Sequence, residues 1–369
     1  MTTVVGSITL IRTDGHKLWE LLFKLSFSDD SPASMAVLRA MLSLAYLYRH
    51  GHGNEALRLK VAALSSLGTA MKQNATGTRE IYQHVAVGML LCAFELFLPS
   101  ESSFQWPLYL SGAKNMLHNI CEGGHPKLME VDHLVIWLHY HDILGKFASR
   151  HWRVESVENA SLFKVPGRAS TLVSSIANDQ VLGISGCSVE MIDLIAEISE
   201  LSLDDTQYTD QRKLNSIEYH LMTIEQDTTL LGENNSEEEV EHGGKISQLY
   251  RLAGLVYFER ALKKSSNSGR LTRWITEAFE IIETLDICER PFPLFFIACE
   301  AHTDTQRKMV LSLFEKTQRR SSQRRIHTIQ GMVESVWVQM DLSSDEKGME
   351  YVDMLNAVMS SHDQLPTLA

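Results

Sequence analysis

The chain has 369 residues, 44% of them hydrophobic and 22% charged, which is typical of a soluble globular protein with one or two domains. Its 46 acidic and 34 basic residues give a formal net charge of −12. This acidic balance argues against direct nucleic-acid binding, because affinity for phosphates comes largely from lysine and arginine.

The five cysteines favour neither a disulfide framework nor a structural zinc site, since they are odd in number, widely spaced and contain no C-x-x-C pair. We expect most of them to be small buried residues in a reducing intracellular compartment. Arg12 and Asp14 interrupt the N-terminal apolar run, so a secretory signal is not expected. The sequence has no continuous apolar run of eighteen residues, so we predict no membrane span.

The first predicted elements are helices that follow an N-terminal segment, residues 1–29. Apolar residues recur at helical spacing, at positions 35, 38, 42, 45 and 46, behind the start signal Ser31-Pro32 and ahead of the stop signal Gly51. A second helix begins at Asn54. The next, from Arg79, is apolar almost all round, so we expect it at the centre of the packing.

A helix predicted from Pro107 to Gly123-Gly124 is followed by the histidine-rich stretch "HLVIWLHYHDILGKFASRHW", which starts at His133 and forms the next helix. Residues 154–185, with Pro166 and Gly167, indicate a long irregular connection.

The second half of the chain starts with an amphipathic helix, "CSVEMIDLIAEISELS", and continues into an acidic stretch, 232–244, that predicts a mobile loop. Four more helical patterns follow from residue 245, and residues 343–369 predict a short helix with a frayed tail. Strand alternation and tandem repeats are both missing from the sequence. The prediction is an all-α, irregular bundle of roughly ten helices without a sheet.

The histidine-rich helix raises the question of a metal site. Metal ligands must converge on one point, and on a helical wheel only His139 and Asp142 share a face. Such a pair would need help from another helix, for instance from Glu95 or Glu300. Buried polar residues bonded to neighbouring helices explain the pattern more simply, so we expect neither a metal nor a cofactor.

Acid–base catalysis is the alternative use of these residues. If the chain is an enzyme, the catalytic candidates are His139, His141, Asp142, His151 and Glu300. The sequence offers no strand to carry a G-x-S-x-G elbow and no glycine-rich phosphate loop. The basic run "RRSSQRR", 319–325, has two interpretations: a nuclear-localisation-like or phosphate-contacting patch and, as the favoured one, a solvated helix end and loop.

Aromatic residues on several helices give two interpretations. They are expected mainly as core anchors, and the alternative is that they form the walls of a pocket for a small apolar ligand. The pocket candidates are Trp106, Tyr109, Trp137, Tyr140 and Trp152.

Seven stretches, in this order, resemble the second fungal-specific transcription-factor domain, the regulatory region of fungal zinc-cluster regulators of arginine catabolism and acriflavine sensitivity. The resemblance covers about 30–342. It is carried by "SPASMAVLRAMLSLAYL", "QHVAVGMLLCAFELF", "WPLYLSGAKNML", "WLHYHDILGKFASRHW", "YRLAGLVYFERAL", "PFPLFFIACEAHTDTQRKMVLSLFE" and "VWVQMDL".

The resemblance implies an all-α regulatory domain C-terminal to a DNA-binding zinc cluster with six closely spaced cysteines. No such group occurs in this sequence, so the chain is expected to be either an isolated regulatory half or a natural protein that has lost the DNA-binding head. In both cases it would not contact DNA itself.

Two functions follow. The first is a regulatory domain, nuclear by resemblance or else cytoplasmic, that senses a small ligand or pairs with another regulator, with a homodimer among its assemblies. The second is an enzyme recruited from the same fold for a biosynthetic pathway such as secondary metabolism. A deep pocket lined by two or more of the acid–base candidates would favour the enzyme, whereas a closed core in which they are hydrogen-bonded would favour the regulator.

Overall fold

A computed structural model describes residues 12–73, 77–97, 105–122, 132–152, 181, 183–202, 210–228, 235–264, 269–320, 324–342, 350–363 and 365–369. Over these ranges the chain forms fourteen α-helices and no β-strand. The predicted all-α class is confirmed, with more helices than the roughly ten expected.

The helices are numbered in chain order. They are α1 Arg12–Ser26, α2 Pro32–His50, α3 Asn54–Lys72, α4 Thr78–Phe97, α5 Trp106–Glu122, α6 Asp132–His151, α7 Val189–Ser202, α8 Gln211–Thr223, α9 Glu237–Ala261, α10 Gly269–Thr284, α11 Pro291–Cys299, α12 Asp304–Arg320, α13 Arg324–Leu342 and α14 Tyr351–Ser360.

The chain divides into two compact units. Among the described residues, the first holds those up to 142 together with 183–185, and the second holds 143–152, 181 and 186–369. In the first unit α2 packs on α1, α3 and α4, and α4 packs on α5. In the second, α9 contacts α7, α8, α10, α11 and α14. The predicted domain bounds, 1–29, 30–342 and 343–369, stay a prediction.

The signals that start and stop α2 act as the sequence predicts. The Ser31 side chain accepts a hydrogen bond from the backbone N–H of Ser34 at 3.2 Å, which caps the helix. At the other end Gly51 has a φ of +75° and donates its N–H to the Leu47 carbonyl at 2.8 Å. A positive φ favours glycine, so this residue ends the helix.

Helix α4 is the centre of the first unit, as its apolar circumference predicts. Every residue from Gln83 to Glu95 is buried. By length and composition this helix would also pass as a membrane span, but 72% of its apolar window is buried inside the fold, as in a core helix. The amide nitrogen of the buried Gln83, which has two hydrogens to donate, lies 3.0 Å from the Leu25 carbonyl oxygen and 2.9 and 2.8 Å from the hydroxyl oxygens of Ser28 and Ser34. A single side chain thus links α4 to α1 and α2.

An aromatic cluster fills the core of the second unit. Phe147, Tyr257, Phe292 and Phe296 pack with ring centroids 4.7 to 5.7 Å apart, mostly edge to face or tilted. These rings are fully or almost fully buried and bring together α6, α9 and α11. Burial of such large side chains is a major source of folding free energy.

The prediction of a mobile loop at 232–244 is wrong for most of that stretch. Helix α9 begins at Glu237, so 237–244 are helical, while 232–234 lie outside the described residues. A capping box explains the difference: Ser236 accepts from the Glu239 N–H at 3.3 Å, and the Glu239 carboxylate accepts from the Ser236 N–H at 3.1 Å. Three glutamates in the first turn also stabilise the helix, because their negative charges interact favourably with the positive end of its dipole.

The end of the chain is not frayed, contrary to the prediction. Leu365, Leu368 and Ala369 are each at most 5% exposed. The Leu368 carbonyl accepts a hydrogen bond from the Phe292 N–H at 3.1 Å, in the first turn of α11. The chain end therefore satisfies one of the backbone donors that a helix start leaves without an intrahelical partner.

Candidate functional site

Three of the predicted acid–base residues on α6, His139, His141 and Asp142, are buried inside the first unit. His141 donates through Nδ1 to the Trp137 carbonyl at 2.8 Å, and its ring stacks on the Trp137 indole with centroids 3.7 Å apart. The Lys114 ammonium lies 2.9 Å from the Asp142 carboxylate, with both side chains at most 7% exposed. His139 is also buried, at 7% exposed. These contacts are those of a packed polar seam.

His151, in the second unit, is completely buried. Its Nδ1 donates to Oδ1 of Asn356 at 2.8 Å, and its Nε2 faces the Tyr257 hydroxyl at 3.4 Å. Burial, the largest cause, lowers the pKa of His151 to about 4, against the opposing hydrogen bond with Asn356. The ring is therefore neutral at physiological pH and connects α6 to α9 and α14.

Glu300 forms a two-point ion pair with Arg260 and lies 3.6 Å from His302. Burial acts to raise the pKa of Glu300, but the hydrogen bonds and charges of His302 and Arg260 outweigh it and hold the pKa below its usual value. Glu300 is thus an ionised, paired carboxylate, a poor proton donor or acceptor at neutral pH.

Glu95, considered as a partner for a metal, is instead paired with Lys60 in the first unit, with 1% of its side chain exposed. The Lys60 ammonium also donates to the Gln105 amide oxygen at 2.9 Å. Burial raises the pKa of Glu95, although Lys60 acts in the opposite direction. Within the described ranges no three His, Cys, Asp or Glu residues are grouped as a metal site would require.

The aromatic pocket candidates lie in or near the cores of the two units. Trp106, Trp137, Tyr140 and Trp152 are at most 6% exposed, and Tyr109 is half-buried. The Trp152 indole donates to the His362 carbonyl at 2.9 Å, as expected of a core anchor. Contact of these rings with a ligand stays a prediction.

A cleft of about 550 Å³ lies in the second unit, where the sequence reasoning placed no site. One wall is the C-terminal end of α8 with the extended segment that follows it, and the other is one face of α9. The lining residues are Met222, Thr223, Ile224, Glu225, Gln226, Thr228, Gly244, Ser247, Gln248 and Arg251. The four residues from α9 recur at i, i+3, i+4 and i+7, a helical stripe that could have revealed the site but carries no catalytic motif.

Hydrogen bonds hold this cleft in shape. The Gln226 amide donates to the Ser247 carbonyl at 2.6 Å and accepts from the Ser188 N–H at 3.0 Å. Arg251 donates from Nε to the Gln248 amide oxygen at 3.2 Å, and its Nη2 lies 3.4 Å from the Glu277 carboxylate. The cleft contains none of the predicted catalytic residues or aromatic pocket candidates.

Comparison with known proteins decides the family. A family model described as the fungal specific transcription factor domain matches residues 1–362. The chain belongs to this family. The predicted resemblance is confirmed, and the match extends beyond the 30–342 expected from the sequence motifs.

Among curated proteins, the chain is similar to transcription factor iacI of Pestalotiopsis fici, with 29% identity over 347 residues. The alignment covers 92% of this chain and 85% of that protein. No solved structure matches. The domain is therefore of the transcription-factor type found in fungi.

Proposed function

We propose that the chain is a regulatory domain of transcription that responds to a small ligand and neither catalyses a reaction nor contacts DNA itself. Family membership supports the regulatory part. Control by a ligand needs a cleft and two conformations of the domain that bind the ligand with different affinity. The ligand then shifts the population toward the conformation that it binds better. A nuclear location is part of the proposal and is suggested by the family.

One observation carries the choice of regulator over enzyme. His151 and Glu300, the two acid–base candidates of the second unit, are buried, contact Asn356 and Arg260, and do not line the cleft between α8 and α9. A catalytic acid or base must reach the atom that it protonates or deprotonates. These contacts therefore support a structural role for both side chains.

The charge of the chain supports the absence of DNA contact. A net charge of −12 repels a phosphate backbone, and specific DNA binding normally draws on several Lys and Arg contacts. Fluorescence anisotropy of a labelled duplex at low salt is expected to show no binding by the purified chain, and tight binding would overturn this part of the proposal.

The test of the regulatory role is a reporter fusion. The full chain is joined to a heterologous DNA-binding domain in a filamentous fungus, with that domain's operator placed upstream of a reporter gene. Transcription is expected to change several-fold relative to the DNA-binding domain alone at matched protein levels. Equal reporter transcription from the two proteins on every growth medium tested would overturn the proposal.

A further inference from the structure

We propose that the cleft between α8 and α9 binds a small organic acid that also carries a hydroxyl or amino donor, and that Arg251 anchors its carboxylate. This inference rests on the proposed function, because it identifies the ligand class to which the regulatory domain responds. The volume of the cleft, about 550 Å³, lies within the range of small-molecule sites.

Hydrogen bonds hold the walls of the cleft in place. Gln226 links the segment after α8 to Ser247 on α9 and to Ser188 at the start of α7. The backbone N–H of Val181 donates to the Asp227 carbonyl at 2.7 Å, which holds the same segment at the next residue. A cleft whose walls are already fixed loses little conformational entropy when a ligand binds.

Arg251 lines the cleft with hydrogen-bond donors that the described residues leave unused. A guanidinium has five N–H donors, and the described structure gives Arg251 acceptors for two of them, one on Gln248 and one on Glu277. The other three, on its Nη1 and Nη2 atoms, have no acceptor in the described part of the chain. The side chain is 20% exposed, so it is fixed in direction and still reachable from the cleft.

The remaining donors of Arg251 match the two oxygens of a carboxylate. The planar fork of a guanidinium forms two parallel hydrogen bonds with a carboxylate, the strong charge-assisted geometry. Glu277 competes only in part, because its ion-pair distance to Arg251 is 3.4 Å and the same oxygen already accepts from Gln248 at 2.7 Å. The carboxylate of a ligand can therefore accept hydrogen bonds from the donors of Arg251 that Gln248 and Glu277 do not use.

The other residues that line the cleft favour a ligand with more groups than a carboxylate alone. The exposed carboxylate of Glu225 lies at the same cleft and would repel a simple anion, but it would accept a hydrogen bond from a ligand hydroxyl or amino group. Met222 and Ile224 supply apolar contact beside it. Together these residues fit a small acid with a donor group and a short carbon skeleton.

The experiment uses the purified full chain and four acids, each paired with its neutral amide: glycolate, lactate, salicylate and 4-hydroxybenzoate. Binding is measured by saturation-transfer NMR and by titration. At least one acid is expected to bind, and its amide, which keeps the donor but loses the charge, should bind about tenfold more weakly or worse.

Three variants test the location. Arg251→Gln should weaken acid binding about tenfold or more, whereas Arg273→Gln, which removes an exposed arginine on α10, should leave it unchanged. Gly244→Leu keeps the arginine and blocks the cleft; a Cβ at Gly244 meets no atom within 4 Å, so the variant should fold and lose binding.

The proposal is overturned if no acid in the set binds the wild-type chain, if the amides bind as well as the acids, or if both Arg251→Gln and Gly244→Leu bind normally. These outcomes are independent of the reporter fusion. Binding without any reporter response would contradict the proposed function and leave the site intact, whereas a reporter response without acid binding would do the reverse.

Discussion

The Arg260 guanidinium and the Glu300 carboxylate meet at two points, with Nε 2.9 Å from Oε1 and Nη2 2.6 Å from Oε2. Arg260 lies near the C-terminal end of α9 and Glu300 directly follows α11. Only 17% of the arginine and 4% of the glutamate side chain is exposed. The pair therefore joins two central helices of the second unit, and the two opposite charges balance each other in a largely buried place.

Breaking this pair from one side should be costly. Glu300→Gln removes the carboxylate that pairs with Arg260 at two points and is expected to lower the free energy of unfolding by roughly 3 kcal/mol. The double variant Arg260→Leu with Glu300→Leu should lose less than the two single leucine variants combined, because it removes both charges. Urea denaturation of the wild type, the two single leucine variants and the double variant gives the coupling free energy between Arg260 and Glu300. Additive losses of stability would contradict the ion pair.

The buried His151 predicts a pH dependence of stability. Its pKa is lowered from 6.5 to about 4 in the folded chain, so between these values the unfolded chain binds a proton that the folded chain does not. Stability is therefore complete above about pH 6.5 and falls as the pH drops toward 4, by roughly 3 kcal/mol in total from this group.

The control for this prediction is His151→Gln, which can still hydrogen-bond but does not titrate. Its unfolding free energy, measured by denaturant titration at several pH values, should decline less over that range than the wild-type value. Parallel pH curves for the two proteins would show that His151 is not held neutral by burial.

The contact between α4 and α5 predicts a contrast between two glycines. A Cβ at Gly88 would lie 2.8 Å from the Ala113 Cβ and 3.1 Å from the Tyr109 carbonyl oxygen, so Gly88→Ala should destabilise the chain by about 2 kcal/mol. A Cβ at Gly112 meets nothing within 4 Å, so Gly112→Ala should be neutral or gain up to about 1 kcal/mol. Equal melting temperatures for the two variants would contradict this close packing.

The cysteines predict slow reaction with thiol reagents. Cys92, Cys187, Cys288 and Cys299 are at most 3% exposed, and burial raises the pKa of Cys288 to about 12. At most one of the five thiols should react with Ellman's reagent in the folded chain at pH 8, and all five should react after unfolding. Rapid reaction of two or more thiols before unfolding would contradict the packing.

The sequence predicts helices better than it predicts their buried faces. In α2 the apolar spacing at 35, 38, 42, 45 and 46 correctly indicates a helix, yet Met35 and Leu42 are 39% and 41% exposed. The packed face instead carries small residues such as Ala36 and Ala40, which let neighbouring helices approach closely. Residue type alone cannot choose between two apolar faces.

Three helices were not predicted, for different physical reasons. Helix α1 lies in the N-terminal segment, 1–29, for which the sequence predicts no helix. Helix α8 is mostly polar and buries only Leu214, Ile217 and Leu221, a stripe too sparse to stand out. Helix α11 is buried on all sides and has prolines at its first and third positions. Proline is tolerated there because the N–H groups of a first helical turn have no intrahelical acceptor.

The site was harder to predict than the fold. The histidine-rich stretch has the chemistry of a catalytic centre, but the structure engages His141 and His151 in hydrogen bonds inside the packing, a role that composition cannot distinguish from catalysis. Arg251 lies in the family motif "YRLAGLVYFERAL", and a single charge on an apolar helix does not by itself indicate a binding site. Its importance depends on Gln248, Glu277 and the cleft beside it, and these are features of tertiary structure.

The most direct test of the account is transcription from the reporter in the presence of the organic acid that binds the purified chain. We expect the acid to change reporter transcription several-fold with the wild-type fusion and with Arg273→Gln, and we expect Arg251→Gln to abolish this response at equal protein level. An Arg251→Gln fusion that responds to the acid like the wild type would contradict the account.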